Sequence, residues 1–252
     1  MISYRKKFIR FVECWNGETA ETNRADVIRY FQQSHQREQM LCREFYTVLI
    51  NLVQHEDDIL AGMKRGTRYE IRRAQDSDNL SHHHWDGMQT RIFEQFCNDG
   101  KAFLAQKAQP QINQSWLKLL AEANLLELTY IVDSAEQPLV WHAYHRGSER
   151  VTLLYSISFF RTHSDKAEQA MIGRANRLLH WSDMIYFKVA GVRTYDFGGW
   201  YEGSTDTERL RINKFKEQFG GEVVKNYICE QALTVKGALF LKLRSKLLGN
   251  AI

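Results

Sequence analysis

The chain reads Tyr195-Asp196-Phe197-Gly198-Gly199-Trp200 and then, after a polar loop, Asn213-Lys214-Phe215-Lys216-Glu217-Gln218-Phe219-Gly220-Gly221. The first segment is typical of a strand that ends in a glycine turn, and the second of a helix that ends in glycine. Open α/β sheets bind ligands in the crevice outside the ends of their strands. The layout therefore predicts a crevice that faces a ligand and is lined by Gly198, Gly199, Trp200 and Tyr201.

Asp196 and Lys216 are the charged side chains of these segments that we expect at the crevice. Asp196 ends an apolar strand, so its carboxylate faces the crevice or caps the following turn. Lys216 lies about 40° from the apolar stripe of its helix, whereas Lys214 points nearly to the opposite side. Lys216 is thus either a snorkelling structural lysine or a group that stabilises charge on a phosphate, a carboxylate or a reacting carbonyl.

The composition is that of a globular chain that can bury a sizeable core without metals or disulfides. Of its 252 residues, 44% are hydrophobic and 25% charged, and the formal net charge is +4. There is no run of about 18 apolar residues, and Met1–Phe8 lacks the apolar centre of a secretion signal. We expect a cytoplasmic protein without an integral membrane segment, whose mild positive charge suits anionic partners.

Cysteine and histidine usage predicts neither a metal nor a redox site. The cysteines are widely separated and form no C-x-x-C pair, which favours reduced thiols in a cytosolic protein; they are Cys14, Cys42, Cys97 and Cys229. His82-His83-His84 lies in a polar segment, and adjacent histidines rarely converge on one ion without distant partners. No metal and no cofactor are expected.

Hydrophobic periodicity predicts a mixed-sheet α/β (α+β) arrangement in which three antiparallel strands are followed by alternating helices and strands. The predicted elements are an extended run (Phe8–Trp15), a short helix (Arg24–Gln33), a strand (Phe45–Val53), helices (Asp57–Gln75, Trp85–Lys107, Ile112–Ala123), strands (Leu125–Val132, Pro138–Arg146, Arg150–Phe159), a helix (Asp165–Ala190), a strand (Arg193–Phe197), a helix (Thr205–Phe219), a strand (Glu222–Cys229) and a basic amphipathic helix within Ala232–Leu248.

The predicted helix over residues 57–75 carries a basic strip beside its apolar face. On a helical projection the strip consists of Lys64, Arg65, Arg68 and Arg72. Such a strip binds a polyphosphate or a nucleic-acid backbone through charge-assisted hydrogen bonds, or is a solvated face paired with nearby carboxylates. Spacing leaves both readings open.

Four motifs, spread in order over residues 45 to 242, resemble those of the Fem-type (FemABX-like) aminoacyltransferases of the GNAT superfamily. They are Tyr46–Leu52, Met63–Ala74, Tyr195–Gly199, and Ile212–Lys216 with Phe219-Gly220. The order of elements also matches the GNAT acyltransferase fold. The resemblance implies a GNAT-like domain over residues 45–252, including the basic helix 57–75, and makes residues 1–44 a short remnant of a first unit.

The resemblance further implies transfer of an aminoacyl group from aminoacyl-tRNA to an amine on a glycan, peptide or nucleotide-linked precursor of the cell envelope. It makes Lys216 the helix lysine near the reacting groups and the basic strip a site for the acceptor's diphosphate or the tRNA backbone. Such chemistry needs a proton acceptor, for which the candidates are Asp196, Tyr155 and His163. Peripheral association with the inner face of the membrane would suit an envelope acceptor.

Two alternatives stay open from the sequence. An acyl-CoA or carrier thioester is another donor for an amino sugar or small metabolite, although Phe160–Lys166, where such enzymes carry a glycine loop for pyrophosphate, contains no glycine. A non-catalytic RNA-binding module with the same fold would use the basic strip alone. Asn51 stands where Fem enzymes often have an aspartate, which favours a smaller or different acceptor.

Overall fold

The computed structural model describes residues 1–15, 25–85, 87, 89–106, 111–161 and 165–248. Within them lie ten strands: β1 (Ile2–Lys6), β2 (Ile9–Trp15), β3 (Val27–Gln33), β4 (Leu41–Asn51), β5 (Ser81–His84), β6 (Leu126–Val132), β7 (Pro138–Arg146), β8 (Arg150–Ser158), β9 (Thr194–Gly199) and β10 (Glu222–Ala232). The same ranges hold seven α-helices: α1 (Glu56–Gly62), α2 (Arg65–Ser77), α3 (Thr90–Gln106), α4 (Gln114–Glu122), α5 (Lys166–Val189), α6 (Thr207–Lys216) and α7 (Val235–Leu248).

The chain folds as two compact units. The first comprises Met1–Thr47, Gly199–Glu202 and Val223–Ile252, and the second comprises Val48–Gly198 and Gly203–Glu222. The first boundary between the two units follows Thr47, three residues beyond the boundary expected at residue 44. The last strand and the last helix of the chain belong to the same unit as the N-terminal segment. Contacts between residues that are distant in the sequence produce this grouping, so a single boundary along the chain cannot describe it.

Both units contain mixed β-structure. In the first unit the strand order is β1-β2-β3-β10, with β2 and β3 parallel and the other pairs antiparallel. In the second unit the order is β9-β8-β7-β6-β5, with only β8 and β9 parallel. The predicted meander of three antiparallel strands is confirmed as β6, β7 and β8, and the predicted mixed α/β class is confirmed.

The core of the second unit forms on both faces of β7. Helix α5 packs against one face with fully buried Leu179 and Phe187. On the other face the Trp141 ring contacts Phe96 of α3, and its Nε1 donates to Asp99 Oδ2 at 2.9 Å. A strand covered on both sides is buried at consecutive positions, as residues 139–145 of β7 are.

The predicted short helix Arg24–Gln33 is wrong, because residues 27–33 form strand β3. Val27 and Ile28 are both fully buried, so both faces of this segment contact the core. β3 pairs with β2 on one side and β10 on the other. A central position in the sheet favours β-branched and aromatic residues and overrides local helical spacing.

The predicted single helix Asp57–Gln75 is also wrong, because it is interrupted at Met63 and Lys64. Both residues have extended backbone angles, so Lys64 precedes α2 and lies outside the helical strip. The Arg68 guanidinium donates to Ala61 O at 3.0 Å and to Met63 O, and Lys64 N donates to Gln218 O at 2.9 Å. Backbone groups freed by the break are thus satisfied by tertiary partners that spacing cannot show.

The expectation that all four thiols are reduced is corrected by a disulfide between Cys42 and Cys229, whereas Cys14 and Cys97 are free and buried. The bonded cysteines lie 187 positions apart and meet because β4 and β10 are neighbouring strands. Motif spacing reports only local pairs such as C-x-x-C. Strand order decided this pairing.

Candidate functional site

A cavity of about 520 Å³ opens in the second unit, between strands β8 and β9. The strands pair from Arg150↔Thr194 to Thr152↔Asp196, whereas β8 continues to Ser158; over the described residues no pairing follows Thr152. A bulge opposite β7 adds a residue to β8 at this point. The cavity occupies the resulting gap and is lined by β8, β9, α5, α6 and Phe103 of α3.

Lys216 projects from α6 into this cavity. Its side chain is buried and its Nζ donates to Gly198 O at 3.1 Å, whereas Lys214 is exposed, as helical spacing predicts. Asp206 fixes the start of α6, because its Oδ1 accepts from the N–H groups of Glu208 and Arg209 at 3.1 and 3.0 Å. Burial lowers the pKa of Lys216 from 10.5 to about 8 against the opposing charge of Asp196.

Asp196 lies next to this site but faces the other side of the sheet. Its Oδ2 accepts from the Arg150 guanidinium at 3.0 and 2.6 Å and from Thr152 Oγ1 at 3.1 Å, and its Oδ1 accepts from Gly198 N at 2.8 Å. Because side chains alternate along a strand, the flanking Tyr195 and Phe197 face α5 and the cavity instead. Asp196 therefore holds the turn whose carbonyl binds Lys216.

Tyr155, another predicted catalytic residue, is not brought together with Lys216. Tyr155 pairs with Ala143 beyond the bulge and faces away from the cavity-lining Ser156. His163 lies outside the described residues. Its role, like that of Tyr155, stays a prediction.

The predicted phosphate-binding residues are not among the described residues that line the cavity. Lys64, Arg65 and Arg72 are exposed, and Arg68 is partly occupied by its two backbone carbonyls. Of the predicted crevice residues, Gly198 has a positive φ of 69° and accepts from Lys216. The others, Gly199, Trp200 and Tyr201, belong to the first unit, where Trp200 N donates to Tyr46 O at 2.7 Å.

His180 of α5 lines the cavity and was missed by the sequence analysis. Its Nδ1 lies 2.7 Å from the Tyr195 hydroxyl, and within the described residues its Nε2 has no hydrogen-bond partner. Burial, reinforced by the neighbouring His142, Lys216 and Arg177, lowers the pKa of His180 well below 6.5. The imidazole is therefore neutral at physiological pH, and with Nδ1 protonated its Nε2 is free of a proton.

A chain of buried hydroxyls joins His180 to Asp183. The hydroxyls of Tyr195 and Tyr144 are 2.7 Å apart, and the Tyr144 hydroxyl donates to Asp183 Oδ2 at 2.6 Å. Burial alone would raise the pKa of Asp183, but hydrogen bonds from His142 and His82 lower it. The one signal in the sequence was His180 and Asp183 three residues apart in a helix facing the sheet.

The histidine triplet takes separate partners on β5. His82 Nε2 lies 3.0 Å from Asp183 Oδ1, the His83 ring stacks on Tyr130, and His84 pairs with Glu127. In the described part of the chain, no three His, Cys, Asp or Glu side chains gather as in a metal site. Nor is any helix there both long and apolar enough to cross a bilayer.

The second unit is thus a mixed sheet whose two parallel strands, β8 and β9, part around a cavity. No family model matches this chain, and no curated protein matches it by sequence. Solved structures with a similar fold include FemX, with a TM-score of 0.63, 13% identity, and 88% of this chain and 75% of that chain covered.

Two further structures share the fold. The C-terminal DUF2156 domain of a putative lysylphosphatidylglycerol synthetase from Agrobacterium fabrum matches with a TM-score of 0.55 and 13% identity over 88% of this chain and 72% of that chain. L-PGS from Bacillus licheniformis matches with a TM-score of 0.53 and 10% identity over 86% and 72%. The expected Fem-type fold is confirmed by these likenesses.

Proposed function

We propose that this protein transfers an aminoacyl group from aminoacyl-tRNA to an amine of a cell-envelope glycan, peptide or nucleotide-linked precursor. The observation that carries the proposal is a buried lysine beside a neutral histidine in the cavity between β8 and β9. Support for aminoacyl transfer comes from the fold shared with FemX and with the domain of a putative lysylphosphatidylglycerol synthetase, whose name describes an aminoacylated lipid. Because charged tRNA is the donor, we propose the cytoplasm as the site of action.

Lys216 would stabilise the tetrahedral intermediate. An amine that attacks an aminoacyl ester converts the carbonyl oxygen into an oxyanion, which needs a positive donor in a site shielded from water. With a pKa of about 8, Lys216 is mainly protonated at pH 7, and its ammonium carries three N–H donors. Asp196 would contribute indirectly, since it fixes the Gly198 turn to which the ammonium is bound.

His180 would move the proton. Its Nε2 accepts a proton from the attacking amine and returns it to the ribose oxygen when the ester C–O bond breaks, so an amide forms and no net proton is gained. Nδ1–H donates to Tyr195, and the path through Tyr144 ends at the Asp183 carboxylate. The negative charge of Asp183 stabilises the transient imidazolium.

The exposed cations Lys64, Arg65 and Arg72, together with Arg68, remain our proposed contacts for the tRNA backbone or the acceptor's diphosphate. They lie at the start of α2 or on it, and three of them are exposed. Exposed arginines bind phosphate oxygens in a salt-dependent manner. Replacing these cations one by one with neutral residues should therefore weaken the binding of charged tRNA step by step.

The test supplies purified protein with a mixture of charged tRNAs and a panel of amine acceptors, and detects the acceptor's mass increase. We expect Lys216→Ala and His180→Ala each to lower the rate by about 100-fold, in line with loss of one oxyanion donor or one acid–base group. Lys214→Ala is the matched control, because it removes an exposed lysine from the same helix and should leave the rate unchanged.

The same assay distinguishes the alternatives. Transfer from acyl-CoA but from no charged tRNA would replace this proposal with a thioester-dependent N-acyltransferase. Salt-sensitive RNA binding without transfer from any donor would show a non-catalytic RNA-binding module.

A further inference from the structure

The first unit contains a cavity of its own, of about 880 Å³. Its walls come mainly from strands β3, β4 and β10 and from helix α7, and every lining residue belongs to the first unit. Small-molecule sites in proteins measure about 300–1,000 Å³. The cavity is thus large enough for a ligand, and its residues have no part in the proposed acyl transfer.

Alternating charges run along this cavity. Arg29 donates to Glu13 Oε1 at 2.9 Å and to Glu230 Oε1 at 2.6 Å, and Arg244 donates to Glu230 Oε1 at 2.9 Å. Two arginines are therefore matched by two carboxylates. We call these four residues the charge ladder, and their formal charges sum to zero.

Arg43 adds a positive charge that the charge ladder does not balance. It lines the same cavity, yet among the described residues it makes neither a hydrogen bond nor an ion pair. Arg43 reaches the surface at the rim, but partial desolvation in the cavity lowers its pKa, and the charges of Arg29 and Arg244 lower that pKa further against the opposing charge of Glu230. Guanidinium groups that line one cavity repel one another, and an anion between Arg43 and Arg244 would relieve that repulsion.

The remaining wall is mainly apolar, with Gln36 and Ser245 as its polar members. Its apolar part is formed by aromatic, aliphatic and thioether side chains, namely Phe31, Met40, Leu41, Ile228 and Leu241. Leu41 is 70% exposed at the rim and extends this apolar wall to the mouth of the cavity. An inorganic anion would use the arginines and leave this wall in water, whereas an amphiphile would cover both.

We propose that this cavity binds an amphiphilic organic anion, with its acidic head group between Arg43 and Arg244 and its apolar body against Phe31, Leu41 and Ile228. The head group is a carboxylate or a phosphate, both of which match the planar donors of arginine. All of these residues belong to the first unit, so the proposal is independent of the acyl-transfer chemistry of the second unit.

Isothermal titration of the full-length protein with octyl phosphate and with octanoate tests the site and identifies the head group. We expect the better of the two to bind about 100-fold more tightly than inorganic phosphate, because burying four methylenes supplies that factor. Octanol should bind at least about tenfold more weakly, since it lacks the charge.

Two variants locate the binding. Arg43→Gln removes the unpaired charge and Leu41→Glu places a negative charge at the apolar rim; each should weaken binding about tenfold or more. Both residues are exposed at the rim, and unchanged far-UV circular dichroism and melting temperature verify folding. Arg5→Gln, at an exposed arginine on β1, is the matched control and should bind like the unaltered protein.

Three results would overturn the proposal. Equal binding of octanol and octyl phosphate would show an apolar cavity without charge recognition, and equal binding of inorganic phosphate would show charge recognition without the apolar wall. Binding only to phosphatidylglycerol–phosphatidylcholine vesicles, with none to the monomeric amphiphiles, would assign the arginines to a membrane surface instead.

Discussion

Replacing Lys216 with methionine should stabilise the folded protein at neutral pH while removing activity. Lys216 is 8% exposed, and burial lowers its pKa from 10.5 to about 8. Methionine has a similar length and no charge, so it fills the same space without the cost of a buried ammonium. This trade-off between stability and activity is expected of a charged group held in a site for function.

The magnitude follows from the two pKa values. Between pH 8 and pH 10.5 the unfolded chain binds a proton here that the folded chain has released, so the free energy of unfolding rises with pH across this window. Below pH 8 both states are protonated and the full cost persists. Each pH unit of the window is worth about 1.4 kcal/mol, which makes that cost about 3 kcal/mol. Losing the hydrogen bond to Gly198 O removes about 1 kcal/mol, leaving a net gain of about 2 kcal/mol for Lys216→Met at pH 7.5.

The assay is urea unfolding of the unaltered protein and Lys216→Met at pH 7.5 and pH 10. Other groups titrate in both proteins, so the measured quantity is the difference between them, which should shrink by about 2 kcal/mol between the two pH values. Lys214→Met is the control, and because Lys214 is exposed its difference should stay near zero at both. If the difference in the free energy of unfolding between Lys216→Met and the unaltered protein did not change with pH, that result would refute the reasoning.

Three further outcomes are expected. Cys42→Ser removes a disulfide that spans 187 positions and should lower the free energy of unfolding by about 3–4 kcal/mol. A reducing agent should lower the free energy of unfolding of the unaltered protein by the same amount and should leave that of the variant unchanged. Gly220→Ala forces a Cβ within 2.2 Å of a backbone oxygen at positive φ and should cost about 3 kcal/mol in urea unfolding, whereas Gly191→Ala, with positive φ but open space, should cost about 1 kcal/mol. Tyr195→Phe breaks the path from His180 and should slow transfer about tenfold with a changed pH–rate profile; an unchanged profile would exclude the relay.

Long, strongly periodic segments were predictable because their own side chains determine their structure. The 24-residue helix α5 and the meander β6–β8 follow this rule. Strand β3 and the interruption before α2 could not be predicted in this way, because their backbone hydrogen-bond partners lie far away in the chain. Local propensity is a weak preference that tertiary hydrogen bonds and burial override.

The candidate site divides in the same way. Helical spacing alone distinguished buried Lys216 from exposed Lys214, because both positions share one helix whose geometry is known in advance. The face to which Asp196 points, the presence of His180 in the cavity and the disulfide between Cys42 and Cys229 depend on which strands are neighbours and where β8 and β9 separate. Such contacts join residues tens to hundreds of positions apart. They arise only when the chain folds, because packing and strand pairing, unlike helical periodicity, leave no fixed interval in the sequence.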